Sequence, residues 1–190
     1  MTHEIWVSVD VETSGPTPHT GSLLSIGACL VEDPGQGIEL LLQPDPDLPW
    51  AEDAAVIHGL DRGVLDRDGL LPAAAMAAFD AWLASVVPAG ARPVMAALNA
   101  PFDWMFVADA FWRYLGRNPF GSSALDLKAL YLGRHLDTVR QWAGTSRLAM
   151  LERYPVDLPH THHALADARE QAAILRGILS AVMGAPDDDR

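Results

Sequence analysis

Apolar and polar residues alternate through EIWVSVDVE at 4–12, so Ile5, Val7, Val9 and Val11 line one face of a strand and Trp6, Ser8, Asp10 and Glu12 the other. SLLSIGACLVE (22–32) and GIELLLQ (37–43) read as two more strands, separated by the turn-forming clusters SGPTPHTGS and DPGQG. Connections this short join antiparallel neighbours, which predicts a three-stranded meander. The proline-rich passage PDPDLPW leads into AEDAAVIHGL, which suits a short helix ending near Gly59. The period then lengthens: Met76, Phe79, Leu83 and Val86 recur at helical spacing behind Pro72 and predict a helix over 72–87. RPVMAAL (92–98) is a short buried strand, and Asn99-Ala100-Pro101 opens a helix through about Leu115, with Asn99 or Ala100 near its cap and Gly116 near its stop. SALDL suits a short strand, ALYLG and TVRQWA smaller helical pieces, and 163–182 a final helix. A meander followed by alternating helix and strand predicts an α/β fold with a mixed sheet. One domain is expected over 1–184, with the acidic stretch APDDDR at 185–190 a frayed tail.

Composition narrows the class. A 190-residue chain can bury roughly 70% of the surface its unfolded form exposes, enough for one packed core. The apolar runs are too short or too interrupted to span a bilayer, and MTHEIWVSVD has no basic stretch followed by an apolar run and a small-residue cleavage site. Cys29 is the only cysteine, which excludes an internal disulfide, suits a reducing cytoplasm and reads as a small core residue. Thirteen basic against twenty-five acidic residues leave a formal charge of −12, which argues against a surface that grips long nucleic acid. The segment 113–153 runs the other way, with Arg113, Arg117, Lys128, Arg134, Arg140, Arg147 and Arg153 against Asp126, Asp137 and Glu152. It reads equally as a landing strip for a polyanion or as a solvated helical face.

The first strand carries the candidate chemistry. Asp10 and Glu12 leave the same face together at its C-terminal end, where ligands gather in α/β sheets, although two acids can also simply open the solvated turn before Ser14-Gly15. Burying such a pair is costly without a cation or water. Asp103, in NAPFDWMF, falls in the first turn of its helix, a position the macrodipole favours in any protein; Pro101, Phe102 and Trp104 are expected to hold that turn rigid against the sheet. Asp167 opens the last helix, five residues after His162 in PHTHHALADA. Residues five apart on a helix lie about 140° apart, so the two reach one site only if His162 precedes the helix. The HTHH cluster fits no common structural zinc spacing.

Taken in order, DVET, NAPFD and HHALADA resemble the three motifs of the DEDDh branch of DnaQ-like 3′–5′ exonucleases, within the ribonuclease H-like superfamily, and they cover roughly residues 4–180. The resemblance implies a ribonuclease H-like fold with a five-stranded mixed sheet flanked by helices. It also implies two divalent cations, Mg²⁺ or Mn²⁺, and release of 5′-mononucleotides from a 3′ end. Carried over by position, Asp10, Glu12, Asp103 and Asp167 would be the metal-binding acids and His162 the general base. His162 is preferred to His163 for the four-residue gap before Asp167, with His160 a distant third. Thr13 matches a position whose backbone approaches the terminal nucleotide in relatives. VIHGL (56–60) also resembles a family element, with no catalytic role assigned to His58.

This chemistry suits those residue types. Hard divalent ions prefer oxygen ligands and can serve both the attacking water and the departing oxygen, while a histidine with an ordinary pKa near 6.5 is neutral enough at working pH to accept a proton. The implied partner is single-stranded or short DNA or RNA with a free 3′ end, since an acidic protein can still process a strand terminus. Trp104, Trp142 and Tyr131 are candidate stacking platforms, with core packing the commoner role for each. The sequence leaves open an oligoribonuclease-like enzyme for very short RNA, a ribonuclease H-like endonuclease, a non-catalytic nucleic-acid-binding module and an interaction protein with an acidic patch. Apolar helical positions leave both core packing and a homodimer interface open, as is association with a larger nucleic-acid-processing complex.

Overall fold

The computed structural model describes residues 3–51, 56, 58–157 and 163–183, the side chains of 181–183 excepted. The expected meander is present: β1 (Glu4–Thr13), β2 (Leu23–Leu30) and β3 (Gly37–Leu41) pair antiparallel in sequence order. β4 (Arg92–Ala97) and β5 (Ala124–Asp126) then add parallel to β1, giving the order β3-β2-β1-β4-β5. The parallel pairs are joined by helical crossovers, as that geometry requires. The long connection from β3 to β4 contains α1 (Arg62–Asp68) and α2 (Pro72–Val86), and α3 (Ala100–Leu115) links β4 to β5. After β5 come α4 (Leu127–Arg134), a 3₁₀ turn (Trp142–Thr145), α5 (Arg147–Arg153) and α6 (Ala164–Met183).

The period-2 pattern of β1 divides the interior. Val7, Val9 and Val11 face α2 and α3, where Phe79, Phe106 and Phe111 fill one core and the rings of Phe79 and Phe111 stack with centroids 5.5 Å apart. The other face of the sheet is covered by α6 with α4 and α5 behind it, around Cys29, Ala96, Leu127, Met150, Leu175 and Ile178. Each large apolar side chain buried this way contributes about 1.5–3 kcal/mol relative to exposure. Burial pushes the Cys29 thiol up to about 11, partly offset by Arg169 and Arg176, consistent with an inert core cysteine.

Two helices lie where the hydrophobic pattern predicts none. α1 buries only Leu65 and is started by Asp61, whose carboxylate accepts the Val64 N–H at 2.8 Å. α5 is started by the Ser146 hydroxyl, 3.2 Å from the Ala149 N–H, and the helical turn expected at TVRQWA forms later, at Trp142–Thr145. Such short elements rest on one cap and one buried residue, too little to leave a period in the sequence. Most of the helix expected over 51–60 and all of the tail at 185–190 lie outside the described residues. Among the described residues no helix is long and apolar enough to cross a membrane.

Candidate active site

Register brings the acids of β1 to a gap in the sheet. β4 pairs with β1 only up to Ser8 and Ala96, so Asp10 and Glu12 lie beyond the paired segment, opposite Gly27 and Ser25 of β2. They project toward the face covered by α6. Gly27 has no side chain to hold that helix away: a Cβ there would lie 2.0 Å from the Ala164 carbonyl carbon and 2.1 Å from the Leu165 nitrogen. The first turn of α6 therefore rests directly on β2, and Asp167 in that turn arrives beside the strand acids. Carboxylate oxygens of Asp10, Glu12 and Asp167 come within 4.8 Å of one another.

Asp103 reaches the same place from the opposite face of the sheet. After β4 the chain turns through Asn99, at φ 66° and ψ 45°, a left-handed conformation that asparagine tolerates better than most residues. Its carbonyl accepts the Phe102 N–H at 3.0 Å, and α3 starts at once with Pro101 in its first turn. Asn99 thus caps by backbone turn, without a side-chain bond. Phe102 and Trp104 pack on the core beneath, and the buried Asp103 carboxylate accepts the Val11 N–H at 3.1 Å. That bond locks α3 to the strand between Asp10 and Glu12. Asp103 is not among the three carboxylates that converge within 4.8 Å, but its charge acts on Asp10.

Their mutual repulsion is visible in the acidities. Burial first, then the charges of Asp103, Glu12 and Asp167, holds Asp10 well above the usual carboxylate range, against a lowering hydrogen bond from Gln171. Burial and Asp167 push Glu12 up to about 7. Burial raises Asp103 to about 8, with Glu12 and Asp126 adding to it and backbone N–H bonds opposing it. A cluster of oxygen donors that resists carrying its own negative charge fits a hard divalent cation, which removes both the desolvation penalty and the repulsion.

The remaining sequence candidates divide. Thr13 is buried just past a register shift in β1, its hydroxyl donating to the Gly15 carbonyl at 2.9 Å. His162 lies outside the described residues; α6 begins at Ala164, two positions later in the chain. His58 is buried with Nδ1 accepting the Leu60 N–H at 2.9 Å and its ring edge-on to Trp50, which suits a turn-holding role. Tyr131 is buried against His135 and Tyr154, so it offers no stacking face, whereas Trp142 is half exposed with the Lys128 ammonium 4.8 Å from its ring centre. The basic segment is largely spoken for within the protein: Arg113 pairs with Asp109, Arg117 with Asp80 and Arg147 with Glu170, and Arg153 bonds His135 and Thr138. Gln171 and Gly27 were missed. A lone glutamine one turn after Asp167 on an otherwise apolar helix face, and a glycine inside a strand, were the available signals.

With this geometry in place, comparison with known proteins is informative. Residues 7–175 match the Exonuclease (RNase_T) family. The chain is 40% identical over 173 residues to the 3′–5′ DNA exonuclease Cap18 of Escherichia coli, covering 91% of this chain and 90% of that protein. The nuclease domain of 3′hExo, a DEDDh family member solved with rAMP, superposes with a TM-score of 0.72 at 13% identity, over 96% of this chain and 94% of that one. E. coli exonuclease I, solved with a dT13 oligonucleotide, gives 0.71 at 18% identity, and this chain spans 94% of its own length but only 41% of that chain. The two structural likenesses establish the ribonuclease H-like fold. The chain belongs to the Exonuclease (RNase_T) family and is a hydrolase of the 3′–5′ exonuclease class.

Proposed function

We propose that the protein trims single-stranded DNA from its 3′ end, releasing 5′-mononucleotides, with Asp10, Glu12, Asp103 and Asp167 holding two divalent cations, Mg²⁺ or Mn²⁺, and His162 as general base. The observation that carries this reading is the convergence of Asp10, Glu12 and Asp167 within 4.8 Å at the open end of β1. DNA is preferred to RNA because the relative sharing 40% identity over nearly the whole chain is named a DNA exonuclease. When bound, the cations supply Lewis acidity at the scissile phosphate and neutralise charge on the leaving oxygen. The protein's part is positional: β1 presents two carboxylates, α6 a third and α3 a fourth, each fixed by backbone that other contacts hold. In this reading the Thr13 backbone, at the register shift beside Glu12, meets the terminal nucleotide. His162, ahead of α6, takes the proton of the attacking water, which suits a neutral imidazole near pH 7.

Incubation of 5′-labelled single-stranded DNA and RNA of several lengths with Mg²⁺, Mn²⁺ or EDTA tests this. The expected result is a stepwise ladder on DNA that EDTA or Asp10→Ala abolishes. Internal cuts at early times, or digestion that persists in EDTA, would overturn it.

A further inference from the structure

Asp10 is anchored by a residue that belongs to neither strand nor motif. Gln171 is buried, and its Nε2 donates to Asp10 Oδ1 at 2.6 Å while its Oε1 accepts the Leu98 N–H at 2.8 Å. The Leu98 N–H can only donate, so the amide oxygen must face it, and the amide nitrogen is left facing Asp10. Leu98 follows the last residue of β4, where the chain leaves the sheet for the turn that carries Asp103. Gln171 follows Asp167 by four residues and so shares its face of α6. One side chain thus joins the three segments that supply Asp10, Asp103 and Asp167.

We infer that Gln171 is a positioning residue for the carboxylate cluster. The bond from Gln171 restrains the position of Asp10 Oδ1, which favours the orientation in which the group meets Glu12 and Asp167 before any cation binds. Partners of metal ligands typically govern affinity by about 10- to 100-fold through such restraint. The inference rests on the cation reading given above. A rival role is purely structural, with Gln171 merely fastening α6 to the sheet.

Two variants of the full chain separate these roles. Gln171→Met removes both bonds at similar volume; Gln171→Glu keeps the length and the acceptor for Leu98, and turns an oxygen instead of a donor toward Asp10. Calorimetric titration with Mn²⁺ should show affinity lower by about 10- to 100-fold in both. On 5′-labelled single-stranded DNA, kcat should fall while KM stays within about twofold. The rise in Tm on adding Mn²⁺ should shrink, which a mere fastener would not cause. Wild-type Mn²⁺ affinity in Gln171→Glu, with Tm lowered equally in Mn²⁺ and in EDTA, would overturn the inference. Asp10→Ala serves as control: undiminished Mn²⁺ binding there would overturn the cation reading itself.

Discussion

Glu12 and Asp103 hold protons in the folded protein that the unfolded chain has already released. Glu12 is raised from 4.5 to about 7 and Asp103 from 3.8 to about 8, mainly by burial, and Asp10 shifts in the same direction. Between the two sets of values the native state binds more protons than the unfolded state, so stability falls as pH rises. In EDTA the full contribution is present below about pH 4, is lost progressively up to about pH 8, and the curve then levels. Thermal unfolding in EDTA should show Tm declining between pH 5 and about 8 and levelling above it, and saturating Mn²⁺ should flatten the decline. A Tm that rises with pH in EDTA would contradict the burial of these acids. The histidine is a separate matter: His162→Ala should lower kcat by about 10²- to 10⁴-fold while leaving the Mn²⁺-induced rise in Tm intact. Unchanged turnover would transfer the base role to another group.

Elements matter here through how closely they approach one another. α6 reaches the site because β2 carries no side chain at Gly27, so Gly27→Ala must lift the helix off backbone atoms that cannot yield. Overpacking of this kind costs about 1–3 kcal/mol or more, and the displacement carries Asp167 away from Asp10 and Glu12. The expected outcome is a lowered Tm together with loss of Mn²⁺-dependent activity; an active, fully stable Gly27→Ala protein would show that α6 is held elsewhere. Much of this architecture was legible in the sequence. Alternation in β1 put Asp10 and Glu12 on one face, and the first turns of α3 and α6 announced Asp103 and Asp167 through Pro101 and the apolar period behind them. Gln171 and Gly27 were not legible, because their roles exist only where α6 meets β1, β2 and the end of β4, segments far apart in the chain. α1 and α5 were missed for the opposite reason: each depends on a local cap, Asp61 or Ser146, and almost no periodic burial.

On the scale of the whole molecule, charge decides how much of a strand the protein can hold. Counting signs along 113–153 suggested a basic landing strip, but a count cannot see partners, and the fold pairs Arg117 with Asp80, Arg113 with Asp109 and Arg147 with the buried Glu170. Cations committed to the protein's own carboxylates neutralise few phosphates, and the formal charge of −12 repels the remainder of a long strand. In the proposed reading, binding is therefore concentrated at the terminal nucleotides, beside the carboxylate cluster of Asp10, Glu12 and Asp167. Salt dependence measures this directly, since single-strand affinity varies with a slope of about −0.7 per neutralised phosphate on logarithmic axes. With about two phosphates engaged by side chains, raising monovalent salt from about 50 to about 200 mM at fixed Mg²⁺ should lower kcat/KM by about sevenfold. A loss of about a hundredfold would require about five such contacts, and would mean that the paired arginines exchange their carboxylates for the strand when it binds.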